Sequence, residues 1–209
     1  MSSPQAATGS EVPTGNTYDK YAATNPVVRR LMASFEEALD ELFARADPGS
    51  VLDVGCGEGV LTTRWANRLP DRRIVGIDLP DPKLEADWHA SSRGNLEFRT
   101  GRAEQLPFDE NEFDLVCAIE TLEHVADPER SVAELVRVAR RYVLASVPRE
   151  PLWRALNLAR GAYVRQLGNT PGHLNHWSRS SFERLLARHG EVAEVRSPLP
   201  WTMVLLRVG

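Results

Sequence analysis

Short apolar runs alternate with longer amphipathic stretches along most of this chain. The apolar runs, which predict strands, occupy residues 51–54, 74–77, 96–98, 113–119 and 142–147. Between them, apolar residues recur at three- and four-residue steps near 60–69, 83–91 and 128–140, which predicts helices. This alternation is typical of an α/β domain whose parallel sheet is covered on both faces by helices.

The pattern changes at both ends of this region. Residues 1–16 are rich in Ser, Gly, Thr and Pro and are predicted to form a disordered tail. Residues 17–47 are predicted to form an N-terminal helical segment, with helical spacing from Pro26 that ends at Asp47-Pro48-Gly49. Residues 149–175 are predicted to form an irregular insert, followed by a helix near 180–189 and strands at 191–195 and 202–208. No repeat is visible, so 17–209 is predicted to be one domain.

Composition excludes several classes of protein. The chain has 209 residues, of which 42% are hydrophobic and 26% charged, as expected of a globular protein with a full core. Its net charge of −4 disfavours a nucleic-acid partner. The two cysteines are far apart, and neither a signal peptide nor an apolar run of membrane-spanning length is visible. We therefore expect a cytoplasmic protein.

The stretch VLDVGCGEG, residues 51–59, contains the first candidate chemistry. Its glycines allow a sharp turn between a strand and a helix, where a ligand can approach the backbone. The acid at Asp53 would repel a pyrophosphate but could accept a hydrogen bond from an ammonium group. Asp78 ends the second strand, where an acid can bind a ribose diol. S-adenosylmethionine (SAM) carries both an ammonium group and a ribose.

These motifs resemble the class I SAM-dependent methyltransferases from residue 51 to the end of the chain. GRAEQLPFDENEFDLV (101–116) and VLASVP (143–148) are similar to two further family motifs. AIETLEHVADP (118–128) resembles the subgroup of the ubiquinone-pathway O-methyltransferases. The resemblance implies a Rossmann-like three-layer sandwich, with a seven-stranded, mostly parallel sheet, an antiparallel last strand and helices on both faces.

The resemblance also implies a set of cofactor-binding residues. They are Asp53, Gly55, Cys56, Gly57, Gly59, Asp78, Leu79, Ala103, Glu104 and Glu120. Many family members carry an Asp where this chain has Arg102. The contact to the adenine amino group is therefore expected from Glu104 or from the backbone at Ala103.

The loop after the fourth strand places Glu120, Glu123 and His124 within five residues, and His173 and His176 lie just before the last predicted helix. Because imidazole titrates near neutral pH, His124 is the first candidate for a general base, and His173 or His176 is the second.

The same loop also resembles the metal site of the small-RNA 2′-O-methyltransferases. That resemblance implies a divalent ion such as Mg²⁺, Mn²⁺ or Zn²⁺, bound to a vicinal diol or catechol of the acceptor. Its ligands would be Glu120, Glu123, His124 and His173. In the alternative, no metal binds: Glu caps the next helix, His124 packs beneath it, and His176 bonds the backbone beside Trp177.

We expect methyl transfer from SAM to a hydroxyl of a small or lipid-linked metabolite (a phenol, catechol or sugar), with S-adenosylhomocysteine (SAH) as product. The alternatives are an N- or C-methyltransferase and a non-catalytic partner subunit that binds the cofactor. The insert could be a lid over the acceptor, a peripheral membrane contact through 149–167, a dimer contact or a solvated helix. Its spacing predicts apolar side chains on one side, with arginines toward the rim. These arginines are Arg149, Arg154, Arg160 and Arg165.

Overall fold

A computed structural model describes residues 25–209, which form alternating helices and strands. The predictions for the tail, 1–16, and for residues 17–24 lie outside the described residues. In chain order the elements are α1 (Pro26–Ala46), β1 (Ser50–Val54), α2 (Val60–Arg68), β2 (Arg73–Asp78), α3 (Pro82–Ser91), β3 (Leu96–Thr100), β4 (Phe113–Ile119), α4 (Pro128–Val138), β5 (Ala139–Pro148), α5 (Leu152–Ala159), a 3₁₀ turn (Val164–Gln166), α6 (Arg179–Leu186), β6 (Glu191–Arg196) and β7 (Trp201–Arg207).

The strands form a single sheet in the order β3-β2-β1-β4-β5-β7-β6. Strands β1 to β5 pair in parallel, whereas β7 runs antiparallel to both β5 and β6. The predicted fold class is therefore confirmed. The strand order reverses direction between β1 and β4, and in open α/β sheets ligands bind beyond the carboxyl ends of the strands at such a point.

Three helices begin at the same short sequence motif, an Asn or Asp followed by proline. The side chains of Asn25, Asp81 and Asp127 accept hydrogen bonds from backbone N–H groups in the first turns of α1, α3 and α4. Proline at the first helical position already has a helical φ angle and lacks only an N–H that would have no partner there. These caps fix where each helix starts relative to the sheet.

The hydrophobic core lies on both faces of the sheet. Along β1, Val51 packs on the face covered by α1 and α2, where Phe43 and Trp65 stack with ring centroids 4.9 Å apart. Its neighbours Leu52 and Val54 pack on the other face with α4 and α6. Because successive strand residues point to opposite faces, burial on both sides explains why these strands are almost continuously apolar.

The insert is more regular than its sequence predicts, because it contains α5 and a 3₁₀ turn. The buried side chain of Asn157 donates hydrogen bonds to the Gly168 carbonyl (2.8 Å) and to Thr170 Oγ1 (3.2 Å). These bonds fold the segment back on itself. Within the described residues, no helix has the combination of length and apolar character needed to cross a bilayer.

Candidate active site

A cavity of about 370 Å³ opens at the carboxyl ends of β1, β2 and β4. It reaches from the glycine-rich turn to the insert, and α1 contributes Val28, Leu31, Met32 and Phe35 to its wall. A concave, mostly apolar site with a few polar groups is typical of small-molecule binding.

The glycine-rich turn after β1 forms one end of the cavity. Gly55, Gly57 and Gly59 all have positive φ angles, which non-glycine residues rarely adopt. A Cβ at Gly55 would lie 2.4 Å from Thr121 atoms, whereas a Cβ at Gly57 would meet nothing within 4 Å. The missing side chain at Gly55 therefore lets Thr121 pack against the turn. The missing side chain at Gly57 leaves space in the cavity that a ligand can occupy. Gly59 does not line the cavity, since it faces the ring of Phe98.

Asp78 lies at the end of β2 beside this turn. Its carboxylate accepts hydrogen bonds from the backbone N–H groups of Gly57 and Leu79, both at 2.7 Å. Burial raises the pKa of Asp78 above its usual range, and the two backbone hydrogen bonds oppose that rise. The carboxylate is thus held in one orientation at the cavity edge.

Asp53 lies below the turn and is almost fully buried. Its Oδ2 accepts a hydrogen bond of 2.6 Å from Thr62 Oγ1. Burial raises the pKa of Asp53 to about 7; the bond from Thr62 lowers it and the nearby Asp78 charge raises it further. A carboxyl group in this setting favours a cationic neighbour, because a positive charge would restore its ionised form.

Ala103 and Glu104 line the cavity beyond β3, as do Cys56 and Leu79. The Glu104 carboxylate accepts a hydrogen bond from the Ala126 N–H (3.3 Å) and pairs with Arg102 at 3.6 Å. Many members of the family carry an acid where this chain has Arg102. Here Arg102 instead forms an ion pair with Glu104.

Glu120 follows β4 directly and adopts a left-handed backbone conformation (φ 56°). Its carboxylate accepts a hydrogen bond of 2.7 Å from Trp201 Nε1 and one of 3.2 Å from Ser146 Oγ. Glu120 lines the cavity, but it lies outside the cluster that Glu123, His124 and His173 form. The predicted ligand set of four is thus reduced to three.

The ligand atoms of Glu123, His124 and His173 all lie within 4.8 Å of one another. The two imidazole rings meet edge to face, with centroids 4.9 Å apart. His124 Nδ1 lies 2.9 Å from the Gly172 carbonyl oxygen, which can only accept a hydrogen bond. The proton therefore lies on Nδ1 in the neutral ring, and Nε2 carries the lone pair.

The insert reaches this cluster through a set of backbone contacts that sequence analysis missed. Asn175 Nδ2 donates to the carbonyl oxygens of Leu122 (3.1 Å) and Val125 (2.7 Å). The N–H groups of Leu174 and Asn175 both donate to the Glu123 carbonyl. These bonds fasten the chain beside His173 to the loop after β4, so two distant segments build one cluster.

His176 lies elsewhere. Its Nε2 is 2.7 Å from Asn169 Oδ1, the residue is exposed, and it does not line the cavity. Its candidacy as a base rested on the titration of imidazole near neutral pH and on its place just before the last helix. The structure places it outside the cavity, and the predicted bond to the backbone beside Trp177 is replaced by this side-chain contact.

Two tryptophans that were not predicted as site residues form an aromatic wall with Phe35. Trp153 and Trp201 have ring centroids 5.8 Å apart, and Phe35 meets Trp201 edge to face at 4.8 Å. Trp153 also stacks near His173 at 6.1 Å. The wall is built from α5, the start of β7 and α1, so no local sequence pattern could have assembled it.

The predicted separation of apolar and arginine side chains on the insert is wrong in part. Trp153 faces the cavity, but Leu156 and Leu158 are 39% and 42% exposed, and Val164 and Leu167 are more exposed still. The turn after α5 reverses the chain, so one helical face cannot continue through the whole insert.

Comparisons with known proteins agree with this architecture. A family described as "Methyltransferase domain" matches residues 52–144. A demethylmenaquinone methyltransferase of Roseiflexus castenholzii is 28% identical over 77% of this chain and 71% of its own length. A ubiquinone biosynthesis O-methyltransferase of Leptothrix cholodnii is 32% identical over 62% of this chain and 57% of its own. The chain spans only 36% of a Schizosaccharomyces pombe methyltransferase that is 31% identical to it.

Among solved structures, a putative methyltransferase from Bacillus halodurans aligns with a TM-score of 0.61. It is 25% identical, and the alignment covers 77% of this chain and 71% of that one. The family match spans β1 to β5, which carry the glycine-rich turn, Asp78 and the loop with Glu123 and His124. Residues 52–144 therefore match a methyltransferase domain, and the chain has the Rossmann-like fold of the SAM-dependent methyltransferases.

Proposed function

We propose that this protein transfers a methyl group from SAM to a hydroxyl of a small or lipid-linked metabolite, of which phenols and catechols suit the cavity better than sugars. The observation that carries the proposal is the position of His124. Its imidazole lies in the same cavity as the glycine-rich turn and Asp78, with its lone pair on Nε2. An imidazole so placed can accept the proton of an acceptor hydroxyl.

The residues at the glycine end of the cavity fit SAM. The carboxylate of Asp78 is held at the cavity edge, where it can accept hydrogen bonds from a ribose diol. Asp53 is a buried acid that a cationic ammonium group would stabilise. Gly57 leaves the space that a side chain would fill. When bound, SAM supplies an activated methyl group.

The insert end of the cavity provides the surface for the acceptor. The rings of Trp153, Trp201 and Phe35 can pack against an aromatic acceptor and exclude water from it. Holding the hydroxyl oxygen at reaction distance accounts for up to about 7–11 kcal/mol of barrier lowering in favourable cases. This aromatic wall is why we favour a phenol or catechol.

The proton of the acceptor hydroxyl would pass to His124 Nε2, which converts the ring to an imidazolium. The Gly172 carbonyl continues to accept from Nδ1–H and so keeps the ring in this orientation. The Glu123 carboxylate lies within 4.8 Å of the imidazole and stabilises its positive charge. His173 narrows the space beside His124, so the hydroxyl is confined to the nitrogen that can take its proton.

A specific observation also supports a metal-assisted version of the same reaction. Two imidazoles and one carboxylate converge at Glu123, His124 and His173. Such a set suits Zn²⁺ or Mn²⁺ better than Mg²⁺, which prefers oxygen ligands. These residues would hold the ion, which would lower the pKa of a bound catechol. In that case His124 would be a ligand and not the base.

The proposal is tested with SAM and catechol, together with mass analysis of the product. We expect His124→Ala to lower kcat by about 10²-fold or more while SAH affinity, measured by calorimetry, stays unchanged. His176→Ala is the matched control and should keep both. A catechol product methylated on a ring carbon, or full activity in His124→Ala, would contradict the proposal.

The metal-assisted version has its own test. We expect a protein that uses a metal to lose activity after chelation, to regain it with Zn²⁺ or Mn²⁺, and to show about one ion per chain by elemental analysis. His173→Ala should lower that ion content. Activity that survives chelation, in a protein without bound ion, would leave His124 as the base.

A further inference from the structure

The arginines of the insert have different surroundings. Arg154 Nε donates a hydrogen bond to the Leu167 carbonyl (3.1 Å), so it braces the turn after α5. Arg149 and Arg165 do not line the cavity of the candidate site. Arg160 does line it, and it takes part in no ion pair within residues 25–209. It is therefore the insert arginine placed to contact a ligand.

The position of Arg160 follows from the spacing along α5. Trp153, Asn157 and Arg160 are separated by four and three residues, which puts them on one side of the helix, and all three line the cavity. At 1.5 Å per residue, Arg160 lies about 10 Å along the axis from Trp153. Trp153 stacks beside His173, and Arg160 therefore lies about two helical turns away from that contact. Asn157, between them, is occupied in holding the insert together.

The charges of the remaining cavity wall restrict where an anion can lie. The other arginine of the wall, Arg102, is paired with Glu104. The rest of the charged lining is acidic: Asp53, Glu58, Asp78, Glu104, Glu120 and Glu123. An acidic group on the acceptor would be repelled from the glycine end and from the histidine cluster, and attracted to Arg160. Charge alone would thus orient the acceptor.

We propose that the acceptor is an aromatic hydroxy acid, whose ring packs on Trp153 and Trp201 and whose acidic group pairs with Arg160. The inference rests on the proposed O-methyltransferase function and narrows its substrate class. Guanidinium groups bind carboxylates through paired, charge-assisted hydrogen bonds, which makes Arg160 a specificity-determining residue and not a catalytic one.

The test compares an anionic ligand with its neutral analogue: 3,4-dihydroxycinnamate and its methyl ester, which share the ring and both hydroxyls. Their affinities are measured by calorimetry in the presence of saturating SAH, and their kcat and KM with SAM as donor. We expect the acid to bind about tenfold more tightly than the ester. Arg160→Gln should remove that preference by raising the KM of the acid about tenfold, with kcat and SAH affinity unchanged.

Two further variants separate a specific contact from general damage. Arg160→Lys should keep part of the preference, because it retains the charge but loses the paired geometry. Arg165→Gln, in the same insert but outside the cavity, should behave as the wild type. The proposal is overturned if the ester binds as well as the acid, if Arg160→Gln weakens both equally, or if neither probe binds while SAH does. Absence of SAH binding would instead overturn the proposed function itself.

Discussion

The buried carboxyl group of Asp53 should make the folded protein less stable as the pH rises. Burial raises the pKa of Asp53 from its ordinary value of 3.8 to about 7; the Thr62 hydrogen bond opposes this and the Asp78 charge adds to it. Between these two pKa values, the folded chain holds a proton that the unfolded chain has released. Raising the pH through this range therefore favours unfolding, and Asp53→Asn should remove the effect.

The expected magnitude follows from the size of the shift. A change of about three pKa units corresponds to about 4 kcal/mol once both states are ionised. Part of this destabilisation is already present at pH 5, because Asp53 is mostly ionised in the unfolded chain at that pH. Between pH 5 and pH 8, the free energy of unfolding of the wild type should fall by about 2–3 kcal/mol relative to Asp53→Asn.

The measurement is urea unfolding without ligand at pH 5 and pH 8, followed by tryptophan fluorescence and circular dichroism. Asp114→Asn is the matched control. Although burial acts to raise the pKa of Asp114, the bonds from Arg140 and the Gly49 N–H lower it overall. Asp114 is thus ionised at both pH values, and its replacement should lower stability by a similar amount at each.

The reasoning would be refuted if Asp53→Asn and the wild type lost stability in parallel from pH 5 to pH 8. A second measurement ties this result to function: Asp53→Asn should bind SAH more weakly at pH 8, because it removes the acid that we propose as the partner of the ligand's ammonium group. If Asp53→Asn is more stable to urea but binds SAH more weakly, then Asp53 contributes to ligand binding while it lowers the stability of the folded protein.

Further predictions concern the turn and the strand ends. Gly57→Ala should weaken SAH binding at least tenfold with about 1 kcal/mol lost in stability, because its Cβ enters open cavity space at a positive φ angle. Gly55→Ala should instead lower the melting temperature sharply, since its Cβ would lie 2.4 Å from Thr121. If both substitutions changed SAH affinity and melting temperature equally, the assignment of Gly57 to binding and Gly55 to packing would be wrong. Trp201→Phe removes the donor to Glu120, which should cost about 1–3 kcal/mol in urea unfolding, and a further Glu120→Gln substitution should then have little additional effect.

Sequence reasoning succeeded where the signal is local. The glycine spacing of 55–59 and the acids at 53 and 78 lie at strand ends, and parallel strands bring those ends to one edge of the sheet. The Asx-Pro motifs likewise mark the starts of α1, α3 and α4 because capping involves only neighbouring backbone groups. The fold and the match to a methyltransferase domain follow from such short-range features in the right order.

The acceptor end was decided by the tertiary structure alone. Glu120 matched the spacing of a metal ligand, but β7 brings Trp201 Nε1 to its carboxylate. His173 and His176 looked equivalent, and the hydrogen bonds of Leu174 and Asn175 to the loop after β4 place the former in the cavity. The sequence by itself determined where backbone turns and strand ends provide a cofactor site, since those depend on local geometry. Which side chains meet around the acceptor depends on contacts between distant segments, and no periodicity encodes them.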